Sequence, residues 1–383
     1  MEFDVAWLLW GLPLAFVMGW LASRLDIRQW RLEGRQAPRA YFRGLNHLLN
    51  EQQDQAIDAF IEAIQHDPDT SELHFALGNL FRRRGDYDRA VRVHEHLLAR
   101  ADLSPKDRER AQHALANDFL KAGLLDRAEA ALIQLEGTTF ATQARLSRLA
   151  IYERTREWDK AREVAERLDN SAHGSFRLRL AHYACERADQ LRQQQHTTDA
   201  LALLELAVMH TPESARAWIA LADVRQQLKQ TASAWDALEQ LFIHAPGHVP
   251  LIAHNWAVWA RLLGRSGQAM AQLDAWRQQH APSLDVTQAM ATLADEPSAA
   301  RRFYIDHLKT ETSLVAAQLW LAGRDLGGTA DEEQLIKKSL DRACAPLKRY
   351  RCAACGFEAQ QYFWHCPGCQ SWDSYPPKRV EEL

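Results

Sequence analysis

Four cysteines close to the carboxyl terminus form the clearest chemical pattern in this sequence. Cys352 and Cys355 make one CxxC pair, Cys366 and Cys369 make a second, and ten residues separate the two pairs. Such pairs can place four thiolates at the corners of a tetrahedron, each about 2.3 Å from one metal ion. We therefore predict a tetrathiolate metal site with these four ligands. His365 is adjacent to Cys366, but four cysteines already complete the ligand set.

The segment around the cysteines, residues 346–383, must fold around the ion. Gly356 follows the first pair and Gly368 lies inside the second. We expect both to supply the positive φ of a tight turn, which leaves amide groups free to point at sulfur. A segment this short builds no stable core alone, so the metal must contribute much of its folding free energy. Zinc and iron both accept four thiolates, and the spacing does not distinguish them.

Between residues 40 and 281, alanine recurs with a period close to the roughly 34 residues of a tetratricopeptide repeat. Successive steps are 34, 38, 33, 39, 34 and 35 residues. The alanines that mark this period are Ala56, Ala90, Ala128, Ala161, Ala200, Ala234 and Ala269. Each such repeat is a pair of antiparallel helices that buries too little surface alone, so the units stack. We predict about seven repeats and an all-α solenoid.

Other positions of the repeat agree with this prediction. Small residues such as Gly78 let helix backbones approach, and large apolar residues such as Phe60 fill the space between units. Pro68 and Pro212 are placed to end second helices, because proline does not continue a helix. Residues 282–345 still read as helical but lose the period, so we interpret them as degenerate repeats that cap the array.

A repeat array of this kind binds partners through the first helix of each unit. We predict that Asn79, Arg82, Arg83, Asn117 and Lys121 form such a surface in the second and third units. Asparagine can pair with a partner's backbone, and the cations can pair with its carboxylates. The alternative is a solvated polar helix face with no partner.

The amino-terminal residues 1–23 are predicted to form a membrane anchor. The stretch from Val5 to Ala22 holds 18 residues without a charge, and a helix of that length reaches roughly 27 Å, enough for the hydrocarbon core. Arginines dominate the following basic linker, residues 24–39, so the positive-inside rule places the bulk of the chain in the cytoplasm. A cleaved signal peptide is the alternative, but it needs a basic start, and here Glu2 and Asp4 precede the apolar stretch.

Together these features resemble the lipopolysaccharide assembly protein B family of Gram-negative bacteria. The resemblance is tightest in LGNLFRRRGDYDRAVRVHEHLL at residues 77–98 and in YRCAACGFEAQQYFWHCPGCQSW at residues 350–372. It implies a rubredoxin-like ribbon, for which iron is favoured while zinc stays open. It also implies contact between ribbon and repeats.

The resemblance further implies a place and a set of partners. The family regulates lipopolysaccharide synthesis at the inner membrane, on its cytoplasmic side. The implied partners are an FtsH-type membrane protease, the lipid A pathway deacetylase whose degradation it promotes, and other membrane proteins of lipopolysaccharide synthesis. A scaffold that assembles synthesis enzymes without directing proteolysis is the second interpretation.

Other function classes find little support in the residues. The net charge is −4, and the ribbon has nearly balanced charges, so nucleic-acid binding is not expected. The sequence has neither a phosphate-binding P-loop nor a GxSxG nucleophile elbow, so we expect no catalysis. Electron transfer through a rubredoxin-type iron would need a redox partner that the repeats do not suggest. Cys185, in a helical stretch, is predicted to be a core residue.

Overall fold

A computed structural model describes residues 13–20, 39–67, 70–169, 175–322, 324 and 328–383. It divides into two compact units, Met1–Arg156 and Glu157–Leu383. This division falls inside the predicted repeat array, and no feature of the repeat pattern predicted it. In the first unit the helices of the repeats are α1 (39–49), α2 (Gln53–His66), α3 (Ser71–Arg84), α4 (Tyr87–Ala99), α5 (Pro105–Ala122), α6 (Leu125–Ile133) and α7 (Ala141–Thr155).

The second unit continues with helices and ends in a two-stranded antiparallel sheet. Its α-helices are α8 (Trp158–Asp169), α9 (Arg177–Gln193), α10 (Thr197–His210), α11 (Ala215–Gln227), α12 (Thr231–His244), α13 (Val249–Leu262), α14 (Ser266–Gln279), α15 (Leu284–Leu293), α16 (Pro297–Thr310), α17 (Leu314–Leu321) and α18 (Ala330–Cys344). Short 3-10 turns lie at Pro246–His248 and Val380–Glu382. The strands are β1 (Tyr350–Arg351) and β2 (Glu358–Ala359), with Tyr350 opposite Ala359 and Arg351 opposite Glu358.

The alanine period coincides with the helix pairs. Each of the seven alanines is the fourth residue of its helix and has 0% of its surface exposed; the helices are α2, α4, α6, α8, α10, α12 and α14. In each unit, helices that are neighbours in sequence also pack together, and so do alternate ones, α3 with α5 and α9 with α11. This is the stacking that a methyl-sized side chain permits. The predicted all-α tetratricopeptide architecture is confirmed.

Gly78 shows how closely helices approach in the first unit. A Cβ on Gly78 would lie 2.5 Å from the ring of His94, which is fully buried. His94 Nδ1 lies 2.5 Å from Asp118 Oδ2, and Arg82 Nη1 donates to Asp118 Oδ1 at 2.9 Å. A buried polar network therefore holds α3, α4 and α5 together, and glycine is needed where the imidazole packs on the helix backbone.

Helix ends follow the expected residue types. Gly85 and Gly123 end α3 and α5 with φ of 91° and 76°, the left-handed conformation that glycine adopts without strain. Pro212 and Pro246 stand just after α10 and α12. Pro68 lies outside the described residues.

The predicted membrane anchor and basic linker lie largely outside the described residues as well. Within the anchor only residues 13–20 are described, and they are helical. Among the described residues, no helix combines the length and apolar character needed to cross a membrane.

Candidate metal centre and its contacts with the repeats

The first CxxC pair lies in the turn that joins β1 to β2. The Cys352 amide donates to Phe357 O at 2.9 Å, and the Gly356 amide donates to Cys352 O at 2.9 Å. Gly356 has φ 78°, which confirms the predicted conformation. The loop is tight enough to point both thiols of the pair to one side.

The second CxxC pair repeats the same bonding pattern. The Cys366 amide donates to Ser371 O at 3.0 Å, and the Gln370 amide donates to Cys366 O at 2.9 Å. Here the positive φ belongs to Gln370, at 60°, and not to Gly368. Our expectation for Gly368 was wrong because the left-handed residue follows the second cysteine of the pair. At Gly368 an added Cβ would instead meet Phe357 at 3.4 Å.

The four sulfurs are arranged as a tetrahedral ion requires. Cys352 Sγ lies 3.8 Å from Cys369 Sγ, and Cys355 Sγ lies 3.7 Å from Cys366 Sγ. All four ligand atoms are within 4.8 Å of one another. A regular tetrahedron with metal–sulfur bonds of about 2.3 Å has edges of about 3.8 Å. The four cysteines therefore form a tetrathiolate metal-binding site; the geometry does not decide the metal.

Hydrogen bonds prepare two of the sulfurs to be thiolates. Burial raises the pKa of Cys352, but the Ser374 hydroxyl, 3.2 Å from Sγ, and the amides of Cys355 and Ala354 outweigh it and lower the pKa to about 6. The Ser371 hydroxyl and amide lower the pKa of Cys369. These bonds favour charge on sulfur.

Cys355 shows why the cluster needs a cation. The Phe357 amide lowers the pKa of Cys355, but burial and the three neighbouring sulfurs oppose it and raise that pKa to about 12. Four adjacent sulfurs do not all ionise alone, because like charges at this separation repel. A bound ion of charge +2 or +3 removes that penalty, and it would be held by the four thiolates.

Trp372 of the ribbon packs against the repeats of the second unit. Its ring stacks on His182 of α9 at 4.7 Å between centroids and on His365 at 4.3 Å. Trp158 and Tyr183 meet it edge-on at 6.3 and 6.1 Å. The metal ribbon is thereby packed against α8 and α9 through an aromatic cluster.

Polar contacts surround this cluster. His182 Nε2 lies 2.8 Å from Asp373 Oδ2, and the Arg216 guanidinium lies over the Trp372 ring at 5.8 Å. Burial lowers the pKa of His248, which packs against Trp364; Asp373 opposes the shift and His182 adds to it. A cavity of ≈ 410 Å³ remains between the ribbon and the starts of α9 and α11.

Comparison with known proteins decides the family. Residues 350–376 match a family model described as the rubredoxin metal binding domain, and residues 73–109 match the tetratricopeptide repeat. Lipopolysaccharide assembly protein B of Escherichia coli strain K12 is 32% identical over 385 residues, covering 96% of this chain and 97% of that protein. The chain belongs to the lipopolysaccharide assembly protein B family.

Other relatives agree with this assignment. Lipopolysaccharide assembly protein B of Haemophilus influenzae strain Rd is 28% identical over 402 residues, covering 97% of this chain and 98% of that protein. A tetratricopeptide repeat protein from Parabacteroides merdae has a crystal structure with a TM-score of 0.34 and 11% identity, covering 68% of this chain and 99% of its own. That structural similarity is too weak to carry an argument.

In this member of the lipopolysaccharide assembly protein B family, the predicted partner-binding residues are of two kinds. Arg82 has 21% of its side chain exposed and bonds Asp118 and Asn79, so its charge is already paired within the first unit. Asn117 bonds His113 at 3.3 Å. Arg83 and Lys121 are exposed. Their partner-binding role stays a prediction.

The sequence did not reveal the residues that hold the ribbon on the repeats. His182, Arg216 and Asp373 have no place in the repeat pattern, and the sequence offers no signal that would have found them. Cys185, two helix positions beyond Tyr183, is buried, and burial raises its pKa to about 12. This confirms Cys185 as a core residue.

Proposed function

We propose that this protein is a cytoplasm-facing adaptor of the inner membrane that regulates lipopolysaccharide synthesis. In this proposal it presents the lipid A pathway deacetylase to an FtsH-type membrane protease. Residues 1–23 anchor it as a single span, and the repeats grip the client. Membership of the family supports the pathway, since its relatives bear the name lipopolysaccharide assembly protein B.

One observation carries the proposal beyond the family name. The ribbon is packed against α9 by the stacking of Trp372 on His182 and by the bond between His182 and Asp373, and Arg216 at the start of α11 lies over Trp372. A metal domain fixed to a repeat array in this way suits a rigid spacer between a membrane and a partner.

The test follows the half-life of the deacetylase in cells whose only copy of this gene is varied. Depletion of the protein should lengthen that half-life after translation is blocked. Replacing Arg83 and Lys121 by glutamate should do the same if these cations hold the client. Lys338, an exposed cation of α18, provides the matched control when replaced by glutamate. Unchanged turnover after depletion would reject the adaptor.

A scaffold that assembles synthesis enzymes is the second candidate, and the word "assembly" in the relatives' name favours it. A scaffold predicts that depletion disperses the synthesis enzymes that co-purify from the membrane while deacetylase turnover stays constant. Removing residues 1–23 tests the anchor separately: the protein should leave the membrane fraction, and replacement by an unrelated apolar span should return it.

A further inference from the structure

The last five residues, 379–383, form a tail that ends on two helices of the array. Glu382 Oε1 accepts a hydrogen bond from the amide of Leu284, the first residue of α15, at 2.6 Å. Glu381 Oε1 accepts from the amides of Leu314 and Val315, which begin α17, at 2.5 and 3.2 Å. The first amides of a helix have no partner inside it, and the helix dipole favours a negative group there.

These carboxylates bond helix amides that the helices' own cap residues leave unpaired. Ser283 stands at the cap position of α15 but makes no side-chain cap, and its Oγ is buried without a partner among the described residues. α17 has 8 residues, far fewer than the roughly 12 that an isolated helix needs to be even marginally stable. α17 has a local cap at Ser313, whose Oγ accepts from the Ala316 amide at 2.8 Å and donates to Glu381 Oε2 at 2.8 Å, so Glu381 extends that cap to the first two amides. α15 has no side-chain cap of its own, so Glu382 supplies one from the far end of the chain.

Arg379 ties the same tail to the ribbon. Its guanidinium donates to both carboxylate oxygens of Asp285 in α15, at 2.9 and 3.0 Å. It also lies 4.1 Å from the ring centroid of Tyr350 and donates to Lys348 O at 3.0 Å. Tyr350 is two residues before Cys352, so the first strand of the metal ribbon, the tail and α15 meet at one arginine.

We propose that Arg379, Glu381 and Glu382 are positioning residues that couple metal occupancy of the ribbon to the folding of α15 and α17. The ion folds the ribbon, the ribbon fixes Tyr350, and Tyr350 with Asp285 fixes Arg379. The two carboxylates that follow are then held at the helix starts. Linkage is reciprocal: the factor by which bound metal favours formation of the caps equals the factor by which formation of the caps favours metal binding. Loss of the caps must therefore weaken metal binding. The coupling does not depend on which client or protease the protein meets.

Hydrogen exchange of the full chain in lipid nanodiscs tests this coupling. Chelating the co-purified metal should increase exchange at the first amides of α15 and α17, and adding Zn²⁺ alone should reverse the change. Replacing Glu381 and Glu382 together by glutamine should increase exchange at the same amides by about fivefold with metal still bound, as expected when each helix loses one cap. The same variant should also bind Zn²⁺ more weakly. The fold-loss in Zn²⁺ affinity should match the fold-increase in exchange that chelation causes at α15 and α17 in wild-type protein.

The matched control is Glu332→Gln. Glu332 accepts from the Thr329 amide at 2.7 Å and caps α18 locally, so its loss should affect α18 and leave α15, α17 and Zn²⁺ affinity unchanged. Unchanged exchange at α15 and α17 in chelated wild-type protein, with the ribbon amides exchanging freely, would overturn the coupling. That measurement needs no variant. Glutamine variants with unaltered Zn²⁺ affinity would equally overturn it, by showing that the caps serve stability alone.

Discussion

Replacement of Trp372 by alanine should separate metal binding from ribbon docking. Trp372 contributes no ligand atom, yet its ring meets His182, Tyr183 and Trp158 from α8 and α9. The four sulfurs are held instead by the two CxxC loops and their amides. We therefore expect Trp372→Ala protein to keep its metal while its ribbon detaches from the repeats.

The size of the effect follows from the contacts. Truncation of a fully buried tryptophan costs about 3–5 kcal/mol, and each aromatic pair adds about 1 kcal/mol to its area term. Trp372 is only partly buried, so we expect a loss of about 2–3 kcal/mol of docking free energy. At about 1.4 kcal/mol per tenfold, the equilibrium constant for detachment should rise roughly 30-fold to 140-fold.

The assay combines elemental analysis with hydrogen exchange of the full chain. Metal content should stay at one ion per chain, while amides at the start of α9 and in residues 371–375 lose protection. Phe357→Ala is the matched control, because Phe357 is an exposed aromatic residue of the same ribbon, 43% of its surface exposed. It should leave docking unchanged.

Two results would refute this reasoning. Loss of metal in Trp372→Ala would show that docking and metal binding are one event. Retained protection in α9 would show that polar contacts such as His182 with Asp373 suffice to hold the ribbon.

Three further predictions concern the site and the two units. Replacing Cys352 and Cys355 by serine should release the metal, as measured by elemental analysis, and lower the thermal stability of the second unit. Gly78→Ala should destabilise the first unit by about 1–3 kcal/mol in urea unfolding, since its Cβ would lie 2.5 Å from the His94 ring. Burial raises the pKa of Asp223 from 3.8 to about 6, although Arg192 opposes it. Asp223→Asn should therefore stabilise the second unit above pH 6, by at most about 3 kcal/mol.

The controls for these predictions use the same chain. Wild-type protein without metal on elemental analysis would contradict the site assignment. Gly78→Ala should cost less in a His94→Ala background than in wild-type protein, because the clash is then absent, and an equal cost in both backgrounds would contradict that origin. For Asp223 the raised pKa gives stability that is complete below pH 3.8 and lost as pH rises through about 6. The advantage of asparagine must therefore shrink from pH 7.5 to pH 4.5; a constant advantage would contradict burial as its cause.

The repeat architecture and the metal ligands could be predicted because each depends on local spacing. A tetratricopeptide unit is a pattern of small and large residues within one helix pair. Alanines such as Ala56 and Ala234 can therefore be recognised from the residues near them in sequence. The two CxxC pairs act likewise: each loop positions its own thiols, and four thiols complete one ion's ligand set. Even there the prediction for Gly368 was wrong, since the loop places its left-handed residue at Gln370.

Tertiary structure alone decided what the ribbon and its tail contact. His182 lies 191 residues from Asp373, and Glu382 caps a helix 98 residues before it. No periodicity in the sequence links such positions. Each contact joins a ribbon or tail residue to a helix, and the position of that helix depends on how the repeats stack. The same holds for Arg82, which reads as a surface cation in sequence but is paired with a buried aspartate once α3 and α5 pack together. The spacing of residues in the sequence therefore predicts the metal ligands and the repeat positions. Contacts between distant segments form only after the helices have stacked, so the sequence alone does not reveal them.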